Sequence, residues 1–280
     1  MVHAITKAQI QEFETYLRMD ERSASTIAKY TNAITDFYQF LPEDKSVTKE
    51  QLLAWKAYIS GKYSASAVNV MISAANGFFE FVSWNELKIR QIRTQRQIFR
   101  DKERELTRTE YMRLLTEAQR QGNFRLFYLM QTLASTGIRI SELKYITAET
   151  LKSGVATVDC KGKRRTVLIP KKLRKSLQSY CESANITGGS VFVTRDGNPV
   201  NRSNIWRELR KLSSAARVPP HKVFPHNFRH LFAVTFYRQQ KDIAKLADLL
   251  GHASIDTTRI YIMESGAEHE RQIERLGLVI

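Results

Sequence analysis

The chain has 280 residues, 42% hydrophobic and 26% charged, which suits one large or two ordinary globular domains and excludes a disordered chain. No apolar run approaches the length of a bilayer span, and the amphipathic opening MVHAITKAQIQEFETYL lacks the parts of a secretory leader, so a cytoplasmic protein with no membrane contact is expected. A formal net charge of +16 points to a polyanionic partner, because each neutralised phosphate releases condensed counterions.

That charge is uneven: residues 1–100 hold 13 basic and 10 acidic side chains, the remainder 31 and 18. Residues 1–85 predict four or five helices. ITKAQIQEFETYLRM places Ile10, Phe13 and Leu17 at helical spacing, and SASTIAKYTNAITDFYQFL repeats the pattern with Ile27, Tyr30, Ile34 and Phe37. Thr48, with Gln51 three residues on, reads as a capping box opening the next helix. SASAVNVMISAANGFFEFVSW closes the unit, with Phe78, Phe79 and Phe81 as expected core. Residues 86–106 lose the apolar period, become rich in Arg and Lys, and read as a basic linker.

A second domain is expected over 107–280. A helix begins near Thr107 or Thr109, and another, NFRLFYLMQTLASTG, stops at Gly137. ISELKYI opens a further helix. VATVDCKGKRRTVLIP alternates and turns at Lys161-Gly162, as a β-hairpin or the centre of a small sheet would. A helix at PKKLRKSLQSYCESA and an Asp-Gly turn in VFVTRDGNPV follow, and the remainder reads as helices. The fold expected is mainly α with a small β-sheet or hairpin, in two domains. Cys160 and Cys181 lie in no CxxC pair and beside no metal-spaced histidines, so two reduced thiols are expected, with no metal and no cofactor.

Four segments carry candidate chemistry. In PHNFRH, Pro225 suits a first helical turn, and His226 and Arg229, three apart, share a face. An imidazole that moves protons beside a guanidinium that grips oxygens suits a phosphate. His230, one step round, is expected to pack or cap. In LADLLGHASIDTTRIYI, Gly251 ends a helix before His252, Ser254 caps the next, Asp256 suits its N-terminus, and Tyr261 lies nine residues after His252. In STGIRISEL, Arg139 falls where a helix begins, so its side chain and backbone N–H groups can face one anion. Lys161 to Arg165 form the hairpin, where a Lys on a tight turn reaches into a groove.

TGIRISEL, KGK, HNFRH, LGH and Tyr261 together resemble the tyrosine recombinase or phage integrase family, whose bacterial members include the Xer-type and conjugative-transposon integrases. The family signature is an Arg, a hairpin Lys, an HxxR, a later His or Trp and a nucleophilic Tyr; all stand here in that order, with Tyr261 32 residues after Arg229. The likeness is strong over 130–265 and weaker before. It implies a helical, SAM-like core-binding domain over 1–85 and a catalytic domain with a C-terminal tail over 107–280, closing as a clamp on double-stranded DNA.

The resemblance also implies roles. Tyr261 attacks phosphorus and leaves a 3′-phosphotyrosine; His226 takes the phenol proton; Arg139 and Arg229 clamp the non-bridging oxygens. Lys161 protonates the leaving 5′-oxygen, His252 hydrogen-bonds the phosphate, and Glu142 orients its neighbours. The family hairpin often reads GKGxKxR, whereas this one reads CKGKRRT, so Lys163 stands as an alternative to Lys161. The reaction implied needs no metal and no ATP. A homo-tetramer on two DNA sites, a monomer or dimer off DNA, and accessory DNA-binding factors are the partners implied, without the arm-site domain of many phage integrases. In relatives a terminal helix packs on a neighbouring protomer; here Ile273, Leu276 and Leu278 would supply that contact, in trans or in cis. The competing readings are a type IB topoisomerase and a catalytically silent DNA-binding regulator on the same fold.

Overall fold

The computed structural model describes residues 3–93, 102–160, 163–194, 196–262 and 274–276. The chain forms two compact units, Met1–Arg96 and Gln97–Ile280. Among the described residues it is mostly helical with a β-hairpin, as the sequence predicts, and has one further small antiparallel sheet in the first unit that the sequence reading did not foresee.

The first unit runs β1 (His3–Ala4), α1 (Lys7–Met19), α2 (Ala24–Phe40), β2 (Ser46–Val47), α3 (Lys49–Lys62) and α4 (Ala65–Phe81), with β1 antiparallel to β2. Each helix starts on a hydroxyl cap: Thr6, Ser23, Thr48 and Ser64. Thr6 with Gln9 and Thr48 with Gln51 close full capping boxes. Phe13, Phe37, Trp55, Phe78 and Phe79 fill the core, while Phe81 packs at its edge, partly buried. The Trp55 indole donates to Asp36 Oδ2 at 3.0 Å, satisfying the one polar atom of that ring.

Residues 86–93 differ from a free linker. Leu87 and Ile89 are buried in the first unit's core. Asn76 pairs with both backbone groups of Ile89, at 2.9 Å each. Asn69 does the same for Ile92, at 2.7 and 3.0 Å. Lys49 donates to the carbonyls of Glu86 and Lys88, and Lys56 to that of Arg90 at 2.7 Å. A side-chain amide offers one donor and one acceptor at the spacing of a strand partner, so two asparagines on α4 stand in for a β-ladder. Composition hid this, because the segment's charged side chains are mostly basic, while its backbone and the buried Leu87 and Ile89 make the contacts.

The second unit opens with a 3-10 turn, Lys102–Arg104, then α5 (Arg108–Arg120), capped by Thr107 with Glu110, and α6 (Phe124–Thr136). A 3-10 helix (Ile140–Tyr145), α7 (Ala148–Ser153), the hairpin β3 (Val155–Cys160) and β4 (Lys163–Leu168), α8 (Lys171–Ser183) and α9 (Arg202–Ala215) follow. Then come α10 (Pro225–Gln240), α11 (Ile243–Leu250) and α12 (Ile255–Ile262). In the hairpin, Cys160 pairs with Lys163. Ala156, Val158 and Val167 turn into the core, and Thr166 and Leu168 turn out. Leu129, Met130 and Leu133 of α6 pack with Phe228 of α10 in the central cluster. Cys181 is a buried free thiol, and the Cys160 side chain lies outside the described residues. Among the described residues, no helix is long and apolar enough to cross a membrane, and no group of His, Cys, Asp and Glu could hold a metal ion.

Candidate active site

Gly137 ends α6 in the left-handed region, at φ 62°. The chain reverses there, and Arg139 becomes the residue before the 3-10 helix. Its backbone N–H donates to Glu142 Oε2 at 2.9 Å and its Nη1 to Glu142 Oε1 at 3.0 Å. The Arg139 side chain stays 40% exposed, whereas Glu142 is 1% exposed. Burial alone would raise the Glu142 carboxyl; the Arg165 guanidinium and the Arg139 N–H overcome it and hold the carboxyl below its usual range.

Arg165 has no role in the sequence reading, yet it ties three segments together. Its Nη2 donates to Glu142 Oε2 at 2.5 Å and its Nη1 to the Leu249 carbonyl at 3.0 Å. A signal was available: Arg165 shares strand parity with buried Val167 and Ile169, so an inward-facing Arg on a core strand calls for a buried acid.

Arg229 is 2% exposed. It donates to the Gly137 carbonyl, to the Leu250 carbonyl at 2.7 Å, and to His252 Nε2 at 2.9 Å. The Leu250 carbonyl ends α11 and the Gly137 carbonyl directly follows α6, and at helix C-terminal ends the dipole is negative and C=O groups lack intrahelical donors. Burial and the neighbouring Arg139 charge lower Arg229 to about 10, which leaves it cationic at neutral pH. Behind α10, Asn227 donates to the carbonyls of Arg104 and Lys222 at 2.7 and 2.8 Å, and Lys222 pairs with Glu110 at 2.9 Å.

His226 and His252 both lie beside the Tyr261 ring, at 5.6 Å between centroids, with His252 stacked at 14°. The Tyr261 phenol lies 3.1 Å from His226 Nε2 and is 5% exposed. Burial, then Arg229 and Arg139, lower His226, and the same causes with Arg165 lower His252 to about 4, so both rings are neutral at pH 7. His252 Nδ1 lies 2.8 Å from the hydroxyl of fully buried Thr258, a partner the sequence reading did not single out. Its position one helical turn before Tyr261 was the available hint. The His230 ring lies 5.3 Å from that of Tyr261 between centroids, and His230 pairs with Glu105 at 3.6 Å. Ser254 accepts the Asp256 N–H at 3.2 Å, in the first turn of α12.

The structure thus brings Arg139, Arg229, His226, His252 and Tyr261 together. Lys161 and Gly162, the Lys163 side chain, Ile273 and Leu278 lie outside the described residues, and Leu276 is exposed. Chemically, the cluster offers one phenol, two neutral imidazoles and the permanent charges of Arg139 and Arg229. Such a group suits a monoanion that gains charge during reaction.

The family model described as phage integrase family matches residues 104–268, and that of the phage integrase N-terminal SAM-like domain matches residues 5–86. The tyrosine recombinase XerA of Pyrococcus furiosus is 30% identical over 278 residues, covering 96% of this chain and 94% of its own. A lambda integrase dimer bound to a COC' core site shares the fold with a TM-score of 0.75 at 18% identity, over 95% of this chain and 97% of its own. A lambda integrase tetramer bound to a Holliday junction aligns with a TM-score of 0.74 at 17% identity, over 92% and 78% of the two chains.

Proposed function

Because this chain belongs to the phage integrase family of tyrosine recombinases, we propose that it is a site-specific DNA recombinase that cuts and rejoins double-stranded DNA through Tyr261. The observation that carries this is the phenol of Tyr261 held 3.1 Å from His226 Nε2, beside the guanidinium of Arg229 and the ring of His252.

A phenol ionises near pH 10 unaided, so attack at neutral pH needs a base. Neutral His226 takes that proton as the Tyr261 oxygen bonds to phosphorus. Arg139 and Arg229 meet the non-bridging oxygens as they gain charge, with His252 donating to one of them. The P–O5′ bond breaks, and the 5′-oxygen takes its proton from Lys161, with Lys163 the alternative donor. The phosphoester survives in the 3′-phosphotyrosine, so attack by the 5′-hydroxyl of another strand rejoins DNA without ATP. Positive charge comes from guanidiniums and an ammonium, so the reading needs no metal. Residues 1–85 bind DNA through their helices, and residues 107–280 hold the catalytic set. The lambda integrase dimer on a core site and tetramer on a Holliday junction support four protomers acting on two sites. Action on chromosomal or mobile DNA supports a cytoplasmic location.

The test is a nicked suicide duplex carrying the protein's own site. The wild-type chain is expected to leave a protein–DNA adduct, and Tyr261→Phe to bind equally and leave none. Efficient supercoil relaxation by a monomer, with no partner site, would instead identify a type IB topoisomerase. DNA binding with no adduct from the wild-type chain would identify a silent regulator.

A further inference from the structure

His252 sits between a group that can only donate and a group that can do either. A guanidinium carries five N–H donors and no acceptor. Arg229 Nη2 lies 2.9 Å from His252 Nε2, so Nε2 offers its lone pair there. The single proton of the neutral ring then resides on Nδ1 and is donated to Thr258 Oγ1 at 2.8 Å. Burial and the charges of Arg229, Arg139 and Arg165 keep this ring neutral down to about 4. In that tautomer His252 has no N–H to give a phosphate, although the recombinase reading above asks it for one.

A neutral ring can present Nε2–H only if Nδ1 finds a donor where it now has an acceptor. A hydroxyl meets both demands by rotating about its Cβ–Oγ bond, and Thr258 is fully buried, so its hydroxyl is shielded from solvent. We propose that Thr258 is a positioning residue that lets His252 change tautomer, accepting from Arg229 in the free protein and donating to the phosphate on DNA. The exchange is neutral in charge: one proton is taken from solvent at Nε2 and one is returned to solvent from Nδ1. It yields two donors at once, since the Arg229 N–H that His252 releases also turns to the phosphate. The inference rests on the recombinase reading and adds to it a residue that never touches DNA.

The test is nitrogen-15 NMR of the full chain labelled in its histidine rings. The Nδ1–H tautomer of His252 is expected in the free protein. The Nε2–H tautomer is expected in the Tyr261→Phe chain bound to a duplex that the wild-type chain selects from a random library. In parallel, Thr258→Val, equal in shape but without the hydroxyl, should cleave a suicide version of that duplex about 10²-fold more slowly at unchanged Kd, as removal of one transition-state donor does. Thr258→Ser should restore the rate to within about threefold, because a serine hydroxyl also donates and accepts. An Nε2–H ring in the free protein, or wild-type cleavage by Thr258→Val, overturns the inference and leaves the recombinase standing. Absence of any adduct from the wild-type chain overturns both. Should Thr258→Val fail to fold, the tautomer of the wild-type ring decides.

Discussion

Arg229 and Arg139 act on each other's charge but are held in opposite ways, and their substitutions should fail differently. Arg139 is 40% exposed at its side chain, so Arg139→Ala should slow adduct formation about 10²–10³-fold, the cost of losing a transition-state donor, with little change in Tm. Arg229 is 2% exposed and satisfies the Gly137 and Leu250 carbonyls. Arg229→Ala should remove activity and also destabilise the chain by about 1–3 kcal/mol for each orphaned carbonyl, read by denaturant melts. Protonation follows the same geometry. His226 and His252 have folded-state values below their ordinary 6.5, His252 at about 4, so the unfolded chain binds protons first as pH falls. Their contribution to stability is present above pH 6.5 and is lost as pH falls below it, for His252 as pH drops toward 4. Tm measured across that window should fall, and His252→Phe should flatten the fall.

At the scale of elements, two glycines and two asparagines set the positions of whole segments. Gly137 ends α6 with φ +62°, and a Cβ there would lie 2.6 Å from Phe232 Cδ1 and 2.9 Å from Leu250 Cδ2. Gly137→Ala combines a left-handed penalty with overpacking against a ring, and should cost about 2–4 kcal/mol in a denaturant melt. Gly251 has φ +63°, and its Cβ would lie 2.2 Å from Arg165 Cδ. Arg165 is a flexible side chain and can retreat, but only by leaving buried Glu142. Gly251→Ala should therefore reduce adduct formation more than its Tm shift implies, which parallel melts and cleavage assays would reveal. Asn69 and Asn76 hold residues 89–92 on α4, so the first unit expressed as residues 1–93 should melt higher than residues 1–86. Equal melting of the two would mean that the strap adds nothing.

For the whole molecule, the net charge of +16 predicts DNA binding that weakens by about 10³-fold or more between 50 and 200 mM salt, if six or more phosphates are contacted. A shallow dependence in a binding titration would contradict that footprint. Helix positions were legible in the sequence because their signals are local: the hydroxyl caps at Thr48 and Thr107, the stop at Gly137, Pro225 in a first turn, and apolar residues at a 3.6-residue period. The order of Arg139, His226, Arg229, His252 and Tyr261 was legible too, through its resemblance to the tyrosine recombinase signature. Other contacts were decided only by folding. Arg165 reaches Glu142 and Leu249, Thr258 meets His252, Asn69 and Asn76 bind the extended segment at Ile89 and Ile92 beyond their own helix, and Tyr261 lies against His226. Each joins groups through hydrogen bonds whose partners lie six to 84 residues apart, and no periodicity or cap signal spans such distances. Sequence by itself determined which chemistry the chain carries and on which elements; tertiary structure decided which buried partners hold those groups, because pairing a buried charge or hydroxyl depends on what packing brings beside it.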